Sequence, residues 1–172
     1  MEDRHVLAVL VANRTGVLNR VTGLYSRRGF NIEALSVGTT GREGVSRITI
    51  TLKGDKKEVD QITKQLEKLV DVIAVKELPK EATVGREVCF VKAAAKGEAR
   101  ERLIQLIDIF RASIIDAASD AITACIIGDT DKTEAFLKLA EPFGILEVVR
   151  SGLMAIERGS VSMEEEADCG NK

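Results

Sequence analysis

The sequence predicts an α+β protein of two units that share one order of elements: strand, helix, strand, strand, helix, strand. Three observations predict it: short apolar runs typical of strands, stretches between them with an apolar period of three to four residues, and turn-forming residues at the junctions. Each helix has one apolar stripe, which must be buried against the face of a sheet. A four-stranded antiparallel sheet with both helices on one face provides it. We therefore expect two ferredoxin-like βαββαβ units.

The first unit is predicted at residues 4–79 and opens with a strand, a helix and a second strand. Residues 6–12 form a continuous apolar run rich in valine, which favours a strand covered on at least one face. The turn-forming residues 13–16 follow. The next apolar residues fall at helical spacing until Gly29, a residue typical of a helix C-terminus. Residues 31–39 are predicted as the second strand.

The rest of the first unit is predicted as a strand, a helix and a last strand. Residues 46–52 alternate, so one face of the sheet is predicted to be buried and the other more polar. Asp55 is suited to cap the following helix, whose apolar stripe runs from Val59 to Leu69. Residues 72–75 provide the fourth strand.

The second half repeats this order after a linker predicted at residues 80–85. Residues 86–159 are predicted as a C-terminal ferredoxin-like domain with its own four strands and two helices. Pro142 and Gly144 end the second of these helices. Residues 160–172 contain three consecutive glutamates and no apolar period, so a disordered acidic tail is predicted there.

Composition and charge exclude several classes of function for this chain. A net charge of −2, no tryptophan and one tyrosine argue against nucleic-acid binding, which needs a basic face or a stacking surface. No apolar run has the length of a membrane span and no secretory signal is recognised, so no membrane association is expected. Three scattered cysteines indicate a reduced, cytoplasmic setting.

Residues with catalytic or metal-binding chemistry are scarce. His5, the single histidine, precedes the first strand without a partner that would make it a catalytic base. Cys89 and Cys125 lie in strand-like runs, and one histidine without a cysteine pair provides no zinc ligand set. We therefore predict no catalytic residue, no metal and no cofactor in this chain. A small α+β enzyme that uses His5 or Cys89 is the alternative.

The loop between the first strand and the first helix is the strongest candidate site. Gly16 leaves the backbone uncovered, and the N-terminal amides of the helix carry partial positive charge, which suits a carboxylate. The Asn13 side chain offers a donor and an acceptor to an amine or a carboxylate. In the alternative interpretation Asn13 and Thr15 only cap the helix, and Gly16 only starts it. The residues alone leave both interpretations open.

Two adjoining strings of the sequence resemble a known family. Residues 11–20, VANRTGVLNR, resemble the opening of an ACT domain, a small amino-acid-sensing module. Residues 23–33, GLYSRRGFNIE, are similar to the regulatory (small) subunit of acetolactate synthase, also called acetohydroxyacid synthase. The similarity extends over residues 5–159, and its further matching stretches are residues 65–72, 86–88, 110–116 and 149–152.

For the site, the resemblance implies a dimer of ACT domains with an effector in the interface. The family's ACT domains pair side by side, and the ligand is a branched-chain amino acid, usually valine. One subunit is expected to provide the loop after its first strand, and the other the start of its second strand. The implied allosteric amino-acid-binding residues are Asn13, Gly16, Val17 and Leu18, completed across the dimer by Asn31 and Ile32; Val17, Leu18 and Ile32 form the expected aliphatic wall.

The resemblance also implies a catalytic partner. The large catalytic subunit of acetolactate synthase makes acetolactate from pyruvate, and thiamine diphosphate, magnesium and FAD are expected only in that subunit. The small subunit is expected to raise its activity in the biosynthesis of valine, leucine and isoleucine and to confer feedback inhibition. The alternative is a stand-alone ACT-type amino-acid sensor that acts on another partner.

Overall fold

The computed structural model describes residues 3–169 of the chain and divides them into two compact units. The first unit runs to Val84 and resumes at Leu153, whereas the second is Gly85–Gly152. Both have the predicted βαββαβ order, so the predicted fold class is confirmed. The predicted boundary at residue 159 differs from the structure, because residues 153–159 return to the first unit.

The N-terminal part of the first unit is a four-stranded antiparallel sheet with two helices. Its elements are β1 (Asp3–Ala12), α1 (Val17–Arg28), β2 (Ile32–Thr39), β3 (Val45–Gly54), α2 (Lys56–Leu66) and β4 (Val72–Glu77). The strand order is β2-β3-β1-β4, which makes β2 and β4 the edges and places β1 in the interior. All three strand pairs are antiparallel, with Val9 of β1 opposite Ile48 of β3.

The core of the first unit lies between one face of this sheet and its two helices. Every second residue of β1 and β3 faces it, and each helix adds its apolar stripe. The buried members are Leu7, Val9, Val11, Val17, Val21, Leu24, Tyr25, Ile48, Ile50, Leu52, Val59, Ile62 and Leu66.

The ends of the two helices in the first unit are built differently. Asp55 accepts from the amide of Glu58, and the Glu58 carboxylate accepts from the amide of Asp55, so α2 begins with a capping box as Asp55 predicted. The first helix, α1, begins at Gly16 without any side-chain cap. It ends at Gly29, whose φ of 73° is the left-handed conformation typical of a helix C-terminus.

The second unit has the same plan. It consists of β5 (Thr83–Ala94), α3 (Glu98–Ile109), β6 (Ser113–Ala117), β7 (Ala121–Gly128), α4 (Thr130–Ala140) and β8 (Ile145–Arg150), in the sheet order β6-β7-β5-β8. A 3-10 helix, Lys80–Ala82, and the start of β5 occupy the segment predicted as a linker. The core residues are Cys89, Val91, Ala93, Ala95, Leu103, Ile107, Ile122, Ala124, Ile126, Phe136 and Ala140.

The outer face of the first sheet, opposite its helices, is covered by the end of the chain. Strand β9 (Met154–Glu157) and helix α5 (Met163–Cys169) lie there, and β9 contacts β1 while α5 contacts β4. The face was predicted to be the more polar one, but its Thr49 and Thr51 are buried. Its apolar cluster consists of Ala8, Leu10, Val45, Leu78, Ala155 and Met163.

The prediction of a disordered tail at 160–172 is therefore wrong for residues 163–169, which form α5. Met163 is buried and Ala167 is half-buried against the outer face, four residues apart on one side of the helix. Local composition misses this helix because its stability comes from a sheet that lies far away in the sequence. Residues 160–162 belong to no helix or strand, and residues 170–172 of the predicted tail lie outside the described residues.

Candidate functional site

The loop between β1 and α1 is held by backbone hydrogen bonds. The amide of Asn13 donates to the carbonyl of Gly44 at 2.8 Å, which ties the loop to the start of β3. The amide of Arg14 donates to the Ala12 carbonyl at 2.9 Å, and that of Arg20 donates to the Gly16 carbonyl at 3.1 Å. Because main-chain contacts hold the loop, its exposed side chains are available for a ligand.

Gly16 adopts a conformation that favours glycine. Its φ is 85°, in the left-handed region, and a Cβ atom built there would meet nothing within 4 Å. Glycine is therefore required by the backbone angle and not by crowding. The main chain at Gly16 is therefore not covered by a neighbouring side chain.

The start of α1 leaves backbone donors free. No side chain caps α1, so the interpretation in which Asn13 and Thr15 cap this helix is wrong. Within residues 3–169, no acceptor is found for the amides of Leu18 and Asn19. The first amides of a helix carry partial positive charge and point out of its N-terminus, so this end of α1 suits an anionic group.

The predicted aliphatic wall is only partly available. Leu18 is 42 % exposed beside the free amides and can contact a ligand. Val17 is 4 % exposed, and its side chain packs in the core between the sheet and the helices. Helical direction explains the difference, since adjacent residues of a helix point about 100° apart. A role for the Val17 side chain in the pocket therefore does not fit this structure.

Asn31 and Ile32 lie at the other end of α1. Asn31 is exposed, and Ile32 is half-buried against the core. The twelve residues of α1 separate them from Gly16 by about 18 Å at 1.5 Å per residue. One chain therefore does not bring together the two halves of the predicted site.

Asp71, which the sequence analysis did not single out, braces the candidate loop. Its carbonyl accepts from the amide of Ala12 at 2.8 Å, and its carboxylate forms an ion pair with Arg20 on α1. These contacts join the end of β1, the first turns of α1 and the start of β4. No local sequence motif indicates this role of Asp71, because its partners Ala12 and Arg20 are more than 50 residues away in the sequence.

The two residues of the enzyme hypothesis are in structural environments. Nδ1 of His5 lies 2.8 Å from Oε1 of Glu77, which also pairs with Lys56. Although burial raises the pKa of Glu77, hydrogen bonds from Lys56 and His5 hold it below its ordinary value. Burial raises the pKa of Cys89, which keeps its thiol protonated and unreactive.

Residues 3–169 contain no cluster of three or more histidine, cysteine, aspartate or glutamate side chains that could hold a metal ion. Among the same residues, no helix is both long enough and apolar enough to cross a membrane.

Both units match known sequence families. Residues 7–74 match the ACT domain of acetohydroxyacid synthase small subunits, and residues 86–159 match the small subunit of acetolactate synthase. The probable acetolactate synthase small subunit of Methanothermobacter thermautotrophicus is 48 % identical over 162 residues, which cover 94 % of this chain and 96 % of that protein. The chain belongs to the acetolactate synthase small-subunit family.

Further members of the acetolactate synthase small-subunit family show similar agreement. The acetolactate synthase small subunit of Bacillus subtilis is 39 % identical over 158 residues, 91 % of this chain and 92 % of that protein. The crystal structure of the small subunit from Thermotoga maritima has a TM-score of 0.86 and 37 % identity, and covers 92 % of this chain and 99 % of that chain. The resemblance seen in residues 11–20 and 23–33 is thus confirmed, and the chain is a non-catalytic, regulatory subunit.

Proposed function

We propose that this regulatory subunit binds a branched-chain amino acid between two copies of its first unit and thereby controls the catalytic subunit of acetolactate synthase. Membership of the small-subunit family implies a large catalytic partner. The dimer, the effector and the inhibition belong to the proposal. The observation that carries it is the uncapped N-terminus of α1 beside the open Gly16.

The free amides support a carboxylate-binding site. An amino acid carries one carboxylate, to which the amides of Leu18 and Asn19 would donate hydrogen bonds, and the partial positive charge at the helix N-terminus would favour it as well. Asn13 is exposed beside them and offers a carbonyl oxygen to the ligand's ammonium group. The two charged ends of an amino acid are thus matched by two polar groups of one loop.

The position of β2 supports completion of the site by a second copy. Strand β2 is an edge with no proline and a single charged residue, Glu33, so nothing in its composition opposes pairing with another strand. Antiparallel pairing of two β2 strands about a two-fold axis sets Ile32 of one copy beside Thr39 of the other. Thr39 pairs with Ser46 at the end of the sheet where Asn13 lies.

This arrangement unites the two separated halves of the site. Asn31 and Ile32 of one copy would then lie near Gly16 and Leu18 of the other copy, and Leu18 with Ile32 would contact the branched side chain. Burying an isopropyl group contributes about 1.5–3 kcal/mol. One methylene changes binding by only about 1–3 kcal/mol, so valine, leucine and isoleucine are all expected to bind, with unequal affinity.

Regulation follows from differential binding. The amino acid inhibits the enzyme if it binds the low-activity arrangement of the complex more tightly than the active one. The chemistry stays with the large subunit, which in this proposal holds thiamine diphosphate, magnesium and FAD. This chain contributes the effector site and the contacts that raise the activity of its partner.

The test is to purify the chain with and without its large subunit and to measure acetolactate formation with each branched-chain amino acid. We expect activation by the small subunit, inhibition by at least one of the three amino acids, and heat of binding to the isolated small subunit by calorimetry. A chain that binds none of the three and leaves the partner's activity unchanged would contradict the proposal. Binding without any effect on that activity would instead support the stand-alone sensor.

A further inference from the structure

Helix α5 lies beyond residue 159, where the match to the small-subunit family model ends. It docks on the outer face of the four-stranded sheet of the first unit, here called the ACT sheet. Met163 is buried in the cluster on the outer face of that sheet. The carboxylate of Glu166 lies 2.9 Å from Nζ of Lys76 on β4. Lys76 also pairs with Glu157 of β9 at 2.6 Å, so one lysine holds both parts of the returning chain.

The docking of α5 depends on few contacts. The helix has seven residues, which is too short to be stable alone, and three adjacent glutamates follow Met163. Its described attachments are one buried methionine, a half-buried Ala167, the ion pair between Glu166 and Lys76, and an electrostatic attraction between Glu164 and Arg47 of β3. Glu166 is more than half exposed, so dissolved salt screens this pair. These features predict an equilibrium between a docked and a released helix.

The strand under α5 leads to the candidate effector loop. Lys76 belongs to β4, and Asp71 directly precedes that strand. Asp71 accepts from the amide of Ala12 and pairs with Arg20. Docking of α5 on β4 can therefore stabilise the loop, since Asp71 at the start of β4 contacts both Ala12 and Arg20.

We propose that α5 is a charge-held latch on the ACT sheet, released by salt, whose docked state stabilises β4 and the loop that binds the effector. Release of α5 uncovers the outer face of β4 and leaves the loop less ordered. The effector must then order the loop when it binds, and this entropy cost weakens effector binding. The latch rests on the contacts of α5 alone, whereas its effect on the effector rests on the proposed function.

The latch is tested by hydrogen exchange of the full chain at low and high salt, with a synthetic peptide of residues 160–172 as the freely exchanging reference. We expect the amides of 163–169 in Glu166→Gln to exchange about two- to fivefold faster than in the parent at low salt, with the difference closing at high salt. Glu165→Gln is the matched control, since it removes the same charge from the same helix and Glu165 forms no ion pair with any residue of 3–169. Equal exchange in both variants would overturn the latch.

The link to the effector is tested by calorimetry with valine on the same proteins and on Met163→Ala, which removes the apolar anchor. The expected order of dissociation constants is Met163→Ala above Glu166→Gln, with Glu165→Gln equal to the parent. Equal affinities in all four proteins would overturn the link. If the parent binds no branched-chain amino acid, the proposed function fails and the link fails with it, while the exchange data still decide on the latch.

Discussion

At the scale of single residues, Gly16 decides whether the candidate site exists. Its left-handed φ turns the chain from β1 into α1 so that no side chain covers the first amides of the helix. A residue with a Cβ costs about 1–2 kcal/mol in this conformation, and aspartate and asparagine tolerate it better than others. Aspartate and asparagine at position 16 can therefore be compared to separate the effect of a negative charge from the effect on the backbone.

We predict that Gly16→Asp abolishes binding of the effector at neutral pH while the protein stays folded. The new carboxylate would lie where the carboxylate of the amino acid docks and would repel it. Gly16→Asn has the same shape without the charge and is expected to lose about the same stability, roughly 1–2 kcal/mol, but to retain part of the binding. Thermal unfolding and calorimetry measure the two effects. If both variants bound equally well, the carboxylate site would be placed wrongly.

At the scale of elements, the two helices of the first unit differ in how they begin, and the difference separates structure from function. Helix α2 begins with a reciprocal capping box between Asp55 and Glu58, which satisfies its own donors. Helix α1 leaves the amides of Leu18 and Asn19 without an acceptor among the described residues, although Asn13 and Thr15 are close in sequence. Suitable capping side chains are thus present near the start of α1, yet its backbone donors stay unsatisfied. This arrangement is consistent with a binding site.

Substitution of the two candidate caps should therefore have unequal effects on stability. We predict that Asp55→Ala lowers the free energy of unfolding by about 0.5–2 kcal/mol, because it removes the cap of α2. Thr15→Ala at the start of α1 should change it by less than about 0.5 kcal/mol, since Thr15 caps nothing. Urea unfolding of both variants measures this. A larger loss for Thr15→Ala would restore the capping interpretation of the loop.

Glu77 joins β4 to His5 of β1 and to Lys56 of α2, and its effect on stability should depend on pH. The folded state lowers the pKa of Glu77, so its contribution is complete above the ordinary glutamate pKa of about 4.3 and is lost as the pH falls toward the lower folded value. We expect Glu77→Gln to be less stable than the parent at pH 7, with the gap closing at acidic pH. Unfolding curves across this range measure it, and a gap that widened on acidification would contradict the assignment.

At the scale of the whole molecule, the proposed site needs two copies of the chain, because α1 separates its predicted halves by about 18 Å. We predict that Val37→Lys, at a 48 % exposed position on β2, weakens the dimer and the effector binding together, since a buried lysine opposes strand pairing. Val70→Lys is the control at a 98 % exposed position outside β2. Sedimentation and calorimetry measure both, and a Val37→Lys protein that stayed dimeric would exclude the β2 interface.

Much of the fold was predictable because local signals agreed with it. The apolar run of β1, the glycine after α1 and the cap at Asp55 each act within a few residues, and each was recovered with the correct element. The loop between β1 and α1 also lies where the sequence predicted it, and its role as an effector site stays a prediction. Sequence patterns did not reveal that Val17 packs inward or that Asp71 braces the loop, because both depend on neighbours supplied by other elements.

The sequence by itself determined the order of elements, the family and the loop with its glycine, since periodicity, turn chemistry and motif are properties of neighbouring residues. Only the tertiary structure decided what covers the outer face of the first sheet, where Thr49 and Thr51 are buried and Met163 docks. It also decided that α1 starts without a cap and that the halves of the site lie apart. The physical reason is that burial and free donors depend on which distant segments meet, and a linear pattern does not contain that information.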